Sequence, residues 1–175
     1  NEGHAAFQVL ERCRELVAAG QPLDVALEIV AGATVFTTHT PVPAGHDVFA
    51  EAQICAELGS FIRELAEEPE EVLAIARNTH PSGFNMTALA LRGSRFRNGV
   101  SAIHRRIASE NESYIWPEVP AADNPMTHVT NGVHLQTFLA LEWVSLFDMR
   151  FGDWRNNLGN ADYWSCIEGI SDNQF

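Results

Sequence analysis

The sequence predicts a layered α/β fold, and three observations predict it. Two segments with helical apolar spacing precede a β-rich string, Thr34 to Thr38. That string runs into a polar loop with two prolines and a glycine, ending at Asp47. Two later extended pieces close on Asn-Gly, at Asn98-Gly99 and Asn131-Gly132. Helix, helix, strand, loop is the rhythm of helices packed on a sheet. Loops at the carboxyl ends of strands are where open α/β sheets hold their ligands.

The elements follow in order. Ala6, Leu10, Cys13 and Val17 recur at helical spacing, and Gly20 closes that helix. Pro22 opens a second, with Leu23, Ala26, Leu27 and Val30 on one face. Phe49 to Leu65 reads as a helix loosened near Gly59, and Glu70 to Arg77 as a short one. A helical pattern spans Asn85 to Arg95, an extended piece Phe96 to Val100, and a helix capped by Ser101 carries Ile103 and Ile107. Residues 115–125 hold three prolines and no period, as in an ordered crossover or interdomain linker. Met126 to Thr130 is strand-like, and the rest is aromatic and helical.

Composition bounds the function. The 46% hydrophobic and 19% charged content is that of a globular chain, and no apolar run is long enough to span a membrane. A net charge of −12 argues against nucleic acid or an anionic membrane as partner. Part of it is the acidic stretch Glu64 to Glu71, read as a solvated helix end and turn. Three dispersed cysteines suit reduced, buried thiols in a cytoplasmic protein. Asn85-Met86-Thr87 and Asn111-Glu112-Ser113 fit the glycosylation sequon, which means little without a leader. All 11 basic residues are arginine; there is no lysine.

Chemistry concentrates in the loop. Two threonines and His39 at its mouth suit a ligand rich in hydroxyls. The Asn-Gly pairs are expected to form left-handed turns that bring backbone close to a cleft. His104, His128 and His134 read as packing or surface residues. A metal site of His39, His46 and Asp47 is disfavoured, because two prolines separate the ligands and no regular element fixes them together. A hydrolase would need two carboxylates, and Asp47 and Asp123 are candidates only by default.

Four ordered blocks carry a resemblance. They are Asn1-Glu2-Gly3-His4, the run Phe36 to Asp47, the run Phe84 to Leu91 with Asn98-Gly99-Val100-Ser101 and His104, and Thr130-Asn131-Gly132-Val133-His134 with Thr137-Phe138. Together the chain resembles the α-glucan (glycogen and maltodextrin) phosphorylases, in their shorter bacterial and archaeal branch. The resemblance implies a retaining glycosyltransferase of GT-B type, with two Rossmann-like lobes. Such an enzyme phosphorolyses terminal α-1,4-linked glucose to glucose 1-phosphate with pyridoxal phosphate as cofactor. Residues 1–114 would be the later half of the sugar-facing lobe, 115–125 a crossover, and 126–175 the start of the cofactor lobe. The chain would be an internal piece of a larger cytoplasmic protein, inactive alone and open to homo-oligomerisation when whole.

By the same resemblance, the backbone carbonyl of His39 would face the reacting carbon and Asn98 would bond a sugar hydroxyl. Glu2, His4 and Thr38 would line the pocket and hold His39. Partners would be α-1,4-glucan and inorganic phosphate. No residue is expected to bind cofactor, because its Schiff base needs a lysine. A nucleotide-sugar glycosyltransferase of the same architecture and a non-catalytic carbohydrate-binding module are the rival readings.

Overall fold

The helices begin and end where short-range chemistry dictates. In the computed structural model, which describes residues 3–79 and 82–171, α1 (Phe7–Ala18) ends before Gly20, whose φ of 95° only glycine adopts cheaply. α2 (Leu23–Gly32) starts directly after Pro22, which stands in extended geometry at its cap. The chain then forms β1 (Val35–Thr37), the loop, and β2 (Val48–Phe49). α3 (Glu51–Leu65) runs unbroken through Gly59, contrary to the expected loosening. Here Ile54, Ile62 and Leu65 are buried, so packing fixes the helix and one glycine costs it only about 1 kcal/mol.

α4 (Pro69–Ala76) leads into β3 (Arg77–Thr79) and β4 (Ser82–Asn85). Asn85 caps α5 (Met86–Arg92), its Oδ1 accepting from Thr87 N at 2.8 Å and Ala88 N at 3.0 Å. β5 (Phe96–Gly99) precedes α6 (Ala102–Asn111), whose first turn is capped by Ser101 Oγ accepting from His104 N at 3.1 Å. The buried face of α6 is His104, Ala108 and Ser109, and Ile103 is 68% exposed. The isoleucine face expected to pack is therefore not the buried one.

Two three-stranded sheets result among the described residues. One is parallel with order β1-β5-β6, where β6 is Met126–His128. The other is antiparallel with order β2-β4-β3 and was not expected from the sequence pattern. Residues 115–125 connect α6 to β6, and Asn124 is buried with its amide on Ser109 O at 2.9 Å. β6 is hydrogen-bonded into the first sheet beside β5, and the chain divides into two compact units after Asn131.

The core of the first unit, Asn1–Asn131, lies between the helices and the inward sheet face. It joins Leu10 and Cys13 of α1, Val30 of α2, Phe36 of β1, Leu89 of α5 and Met126 of β6. Cys13 is buried, and burial pushes its thiol up to about 11, which leaves it inert. Cys55 and Cys166 are exposed, so the expectation of three buried thiols holds only for Cys13. The stretch Glu67 to Glu71 is exposed as expected, with Glu70 and Glu51 both bonded to Arg77.

The second unit, Gly132–Phe175, contains α7 (Leu135–Phe138), α8 (Leu141–Arg150) and α9 (Ala161–Trp164). Within the unit, Trp143, Phe151, Trp154 and Trp164 surround Phe147 at centroid distances of 5.2–5.6 Å. Phe138, Leu141 and Met149 remain exposed.

Candidate functional site

A parallel sheet puts the carboxyl ends of all its strands on one edge, and this edge gathers three of the sequence blocks. Thr37 pairs with Asn98, Asn98 with Thr127, and Gly99 with His128. The loops after β1, β5 and β6 therefore leave together. Thr38 N donates to Asn98 O at 3.0 Å, Val129 N to Gly99 O at 3.0 Å, and Asn131 N to Val100 O at 3.1 Å. The ladder thus continues one step past each strand before the loops separate.

Asn98 is buried, and its Oδ1 accepts from the Thr37 hydroxyl at 3.0 Å. Thr38 is buried beside it, whereas His39 and His4 are exposed, the latter on the opening turn Gly3–Ala6. Glu2 lies outside the described residues. The sequence-predicted set is thus brought together at Thr38 and Asn98. His128 is exposed, and exposed His134 bonds Thr137 at 2.7 Å, consistent with surface roles. His104 is buried and accepts from Val100 N at 3.2 Å, a structural position.

The Asn-Gly pairs do different work from that expected. Neither Gly99 nor Gly132 has positive φ. Gly99 is required instead by close approach: a Cβ there would stand 2.9 Å from Arg105 N and 3.2 Å from Arg105 Cα. Its lack of a side chain lets α6 lie against β5, where Arg105 Nε donates to Met126 O at 2.6 Å. Packing a helix onto a strand is what this glycine allows.

Behind the His39 loop lies a cavity of 340 Å³ that sequence reasoning did not find. His46, Asn85, Asn111, Glu112 and Tyr114 line it. His46 Nδ1 is 2.8 Å from Thr87 Oγ1 and 3.7 Å from Glu112 Oε1, an ion pair whenever the imidazole is protonated. Thr87, Asn85 and Glu112 are all buried. Two of the residues belong to triplets that read as sequons; the buried Asn85 serves as a helix cap, and Asn111 donates to Pro41 O at 3.3 Å. Among the described residues, no group of three or more His, Cys, Asp or Glu side chains could hold a metal ion. None of their helices is long and apolar enough to cross a membrane.

Burial pushes the Glu112 carboxyl above its ordinary 4.5, with Tyr114 and His46 pulling the other way. Burial, and then the adjacent Glu112 charge, likewise pushes the Tyr114 phenol far up. An acid whose folded pKa exceeds its unfolded one costs no stability below the unfolded value. The cost grows as pH rises between the two values and is complete above the folded one. Glu112→Gln is therefore expected to be more stable than the parent chain at neutral pH, with the two converging below pH 4.5. Chemical denaturation across pH checks this, and a pH-independent difference would contradict it.

The architecture is thus an α/β domain with its polar loops at the carboxyl edge of a parallel sheet, a ligand-holding arrangement. No family model matches the chain. It is 38% identical over 175 residues to maltodextrin phosphorylase of Thermococcus litoralis, covering 99% of this chain and 21% of that protein. It is 39% identical over 153 residues to glycogen phosphorylase of Mycobacterium tuberculosis, covering 83% and 18%. It is 30% identical over 178 residues to glycogen phosphorylase of Aquifex aeolicus, covering 99% and 25%. The resemblance seen in the four blocks is borne out along nearly the whole chain. The chain spans only 18–25% of the length of these curated relatives.

Proposed function

We propose that the chain is the sugar-facing part of an α-glucan phosphorylase, which transfers a terminal α-1,4-linked glucosyl unit of glycogen or maltodextrin to inorganic phosphate. The observation that carries the reading is the shared edge: Thr38 and Asn98, from separate blocks, are hydrogen-bonded side by side where His39 leaves the sheet. The names of the relatives support it. In the whole protein the first unit would belong to one Rossmann-like lobe of a GT-B pair, and the following residues would enter the other. A cytoplasmic enzyme fits this reading.

Cleavage of the glycosidic bond builds positive charge at the anomeric carbon and ring oxygen. A fixed carbonyl dipole aimed there stabilises that charge most where water is excluded. The His39 carbonyl supplies this dipole. Asn98 holds a sugar hydroxyl through one amide N–H, while its nitrogen also donates to Gly99 O at 3.2 Å and its oxygen is occupied by Thr37. Thr38, His4 and Glu2 complete the wall of the pocket.

The cofactor the resemblance implies does not fit these residues. Pyridoxal phosphate is anchored as a lysine Schiff base, and the chain has no lysine. It is assigned to other polypeptide of the whole protein, and the roles given to His39 and Asn98 concern the sugar alone.

The full-length protein is expected to release glucose 1-phosphate from maltodextrin only when phosphate is present. Release of free sugar without phosphate would make it a hydrolase. Turnover that needs a nucleotide sugar would make it a transferase of the other kind. Maltodextrin binding with no turnover would leave a carbohydrate-binding module.

A further inference from the structure

The loop that carries His39 has little regular structure to hold it. Pro41, Val42, Pro43 and Ala44 are exposed, and one short turn, Pro43–Gly45, interrupts it. Its entry is fixed by Thr38 N on Asn98 O, and its exit by Met86 N on Asp47 O at 3.0 Å. Between them, the His46 side chain turns inward, 16% exposed, against Thr87 and Glu112.

What His46 does is felt at the other end of the loop, because the loop folds onto itself. A Cβ on Gly45 would stand 2.1 Å from Thr40 Cγ2 and 3.3 Å from Thr40 Cβ. The residue before His46 therefore abuts the residue after His39. Thr40 in turn holds the bend, with Val42 N donating to its Oγ1 at 3.3 Å. Thr87 is also where the opening turn arrives: a Cβ on Gly3 would stand 3.2 Å from Thr87 Oγ1. One buried hydroxyl therefore meets both the His4 turn and the His39 loop.

We propose that His46 is a positioning residue for the His39 carbonyl, clamped by Thr87 and Glu112 and acting through the contact between Gly45 and Thr40. This rests on the phosphorylase reading for its effect on turnover, though not for its effect on the loop. A misplacement of about 1 Å can cost roughly 10²-fold in rate, and the clamp so proposed acts on the loop, not on the glucan. The signature is a fall in kcat with KM for maltodextrin little changed.

The test uses the full-length protein. His46→Ala is expected to lower kcat for phosphorolysis by about 10²-fold and to speed amide exchange across residues 38–45. His46→Asn, which retains a group able to bond the Thr87 hydroxyl, should recover most of both. Thr87→Val should resemble His46→Ala, and the double variant should be no worse than either, as for residues acting as one unit. A His46→Ala protein with parental kcat and parental exchange overturns the proposal. If the parent itself releases no glucose 1-phosphate, the functional reading fails. Loop exchange then decides the clamp alone, faster exchange supporting it and unchanged exchange ending it.

Discussion

Replacing Asn98 by alanine in the full-length protein is expected to lower phosphorolysis by about 10²-fold, the cost of removing one well-placed hydrogen-bonding group from a transition state. The structure adds a second, smaller effect. Asn98 Oδ1 is the acceptor for the Thr37 hydroxyl at 3.0 Å, and the pair spans neighbouring strands β1 and β5. Losing a neutral bond of this kind costs about 1 kcal/mol of stability. Thr37→Val separates the two effects, because it breaks the same bond and leaves the Asn98 side chain in place. It should share the stability loss, read as a lower denaturation midpoint, and keep most of the turnover. Equal turnover losses in the two variants would mean that Asn98 matters only as a strut between strands.

That comparison turns on how much of the site the sequence could announce. Helix ends were legible because their signals are local: Pro22, Gly20 and Ser101 each act on the residues beside them. The parallel edge was half legible, since strand-then-loop reads from the chain but the pairing of Thr37 with Asn98, 61 residues apart, does not. The antiparallel sheet was invisible because β2 has 2 residues and β3 has 3, too few to show an alternation. Gly99 was singled out for a left-handed turn, yet its reason is the backbone of α6 at 2.9 Å, a tertiary contact no local rule contains. His46 was visible only within the loop block and as a disfavoured metal ligand. Its partners Thr87 and Glu112 lie 41 and 66 positions away, each inside a triplet that reads as a sequon.

Trp154→Ala is expected to cost about 3–5 kcal/mol, the usual range for removing a large buried aromatic, and to dismantle the second unit. Trp154 is fully buried, 5.5 Å from Phe147 and 6.5 Å from Trp164 between ring centroids, with its indole N–H on Asp148 Oδ1 at 2.8 Å. Phe147 is the other buried large residue described in this unit. A unit this small buries too little surface to absorb such a loss. The expected readout is collapse of near-ultraviolet circular dichroism from the edge-to-face cluster and rapid proteolysis within Gly132–Phe175. The first unit should keep its protection, because its core around Leu10, Phe36 and Met126 is separate. Trp154→Phe should retain the packing and lose only the bond to Asp148, leaving most of the signal. If Trp154→Ala keeps both the aromatic signal and the protease resistance, the cluster does not hold this unit together. The exposed Phe138, Leu141 and Met149 would then mark where its stability comes from, through burial against other polypeptide.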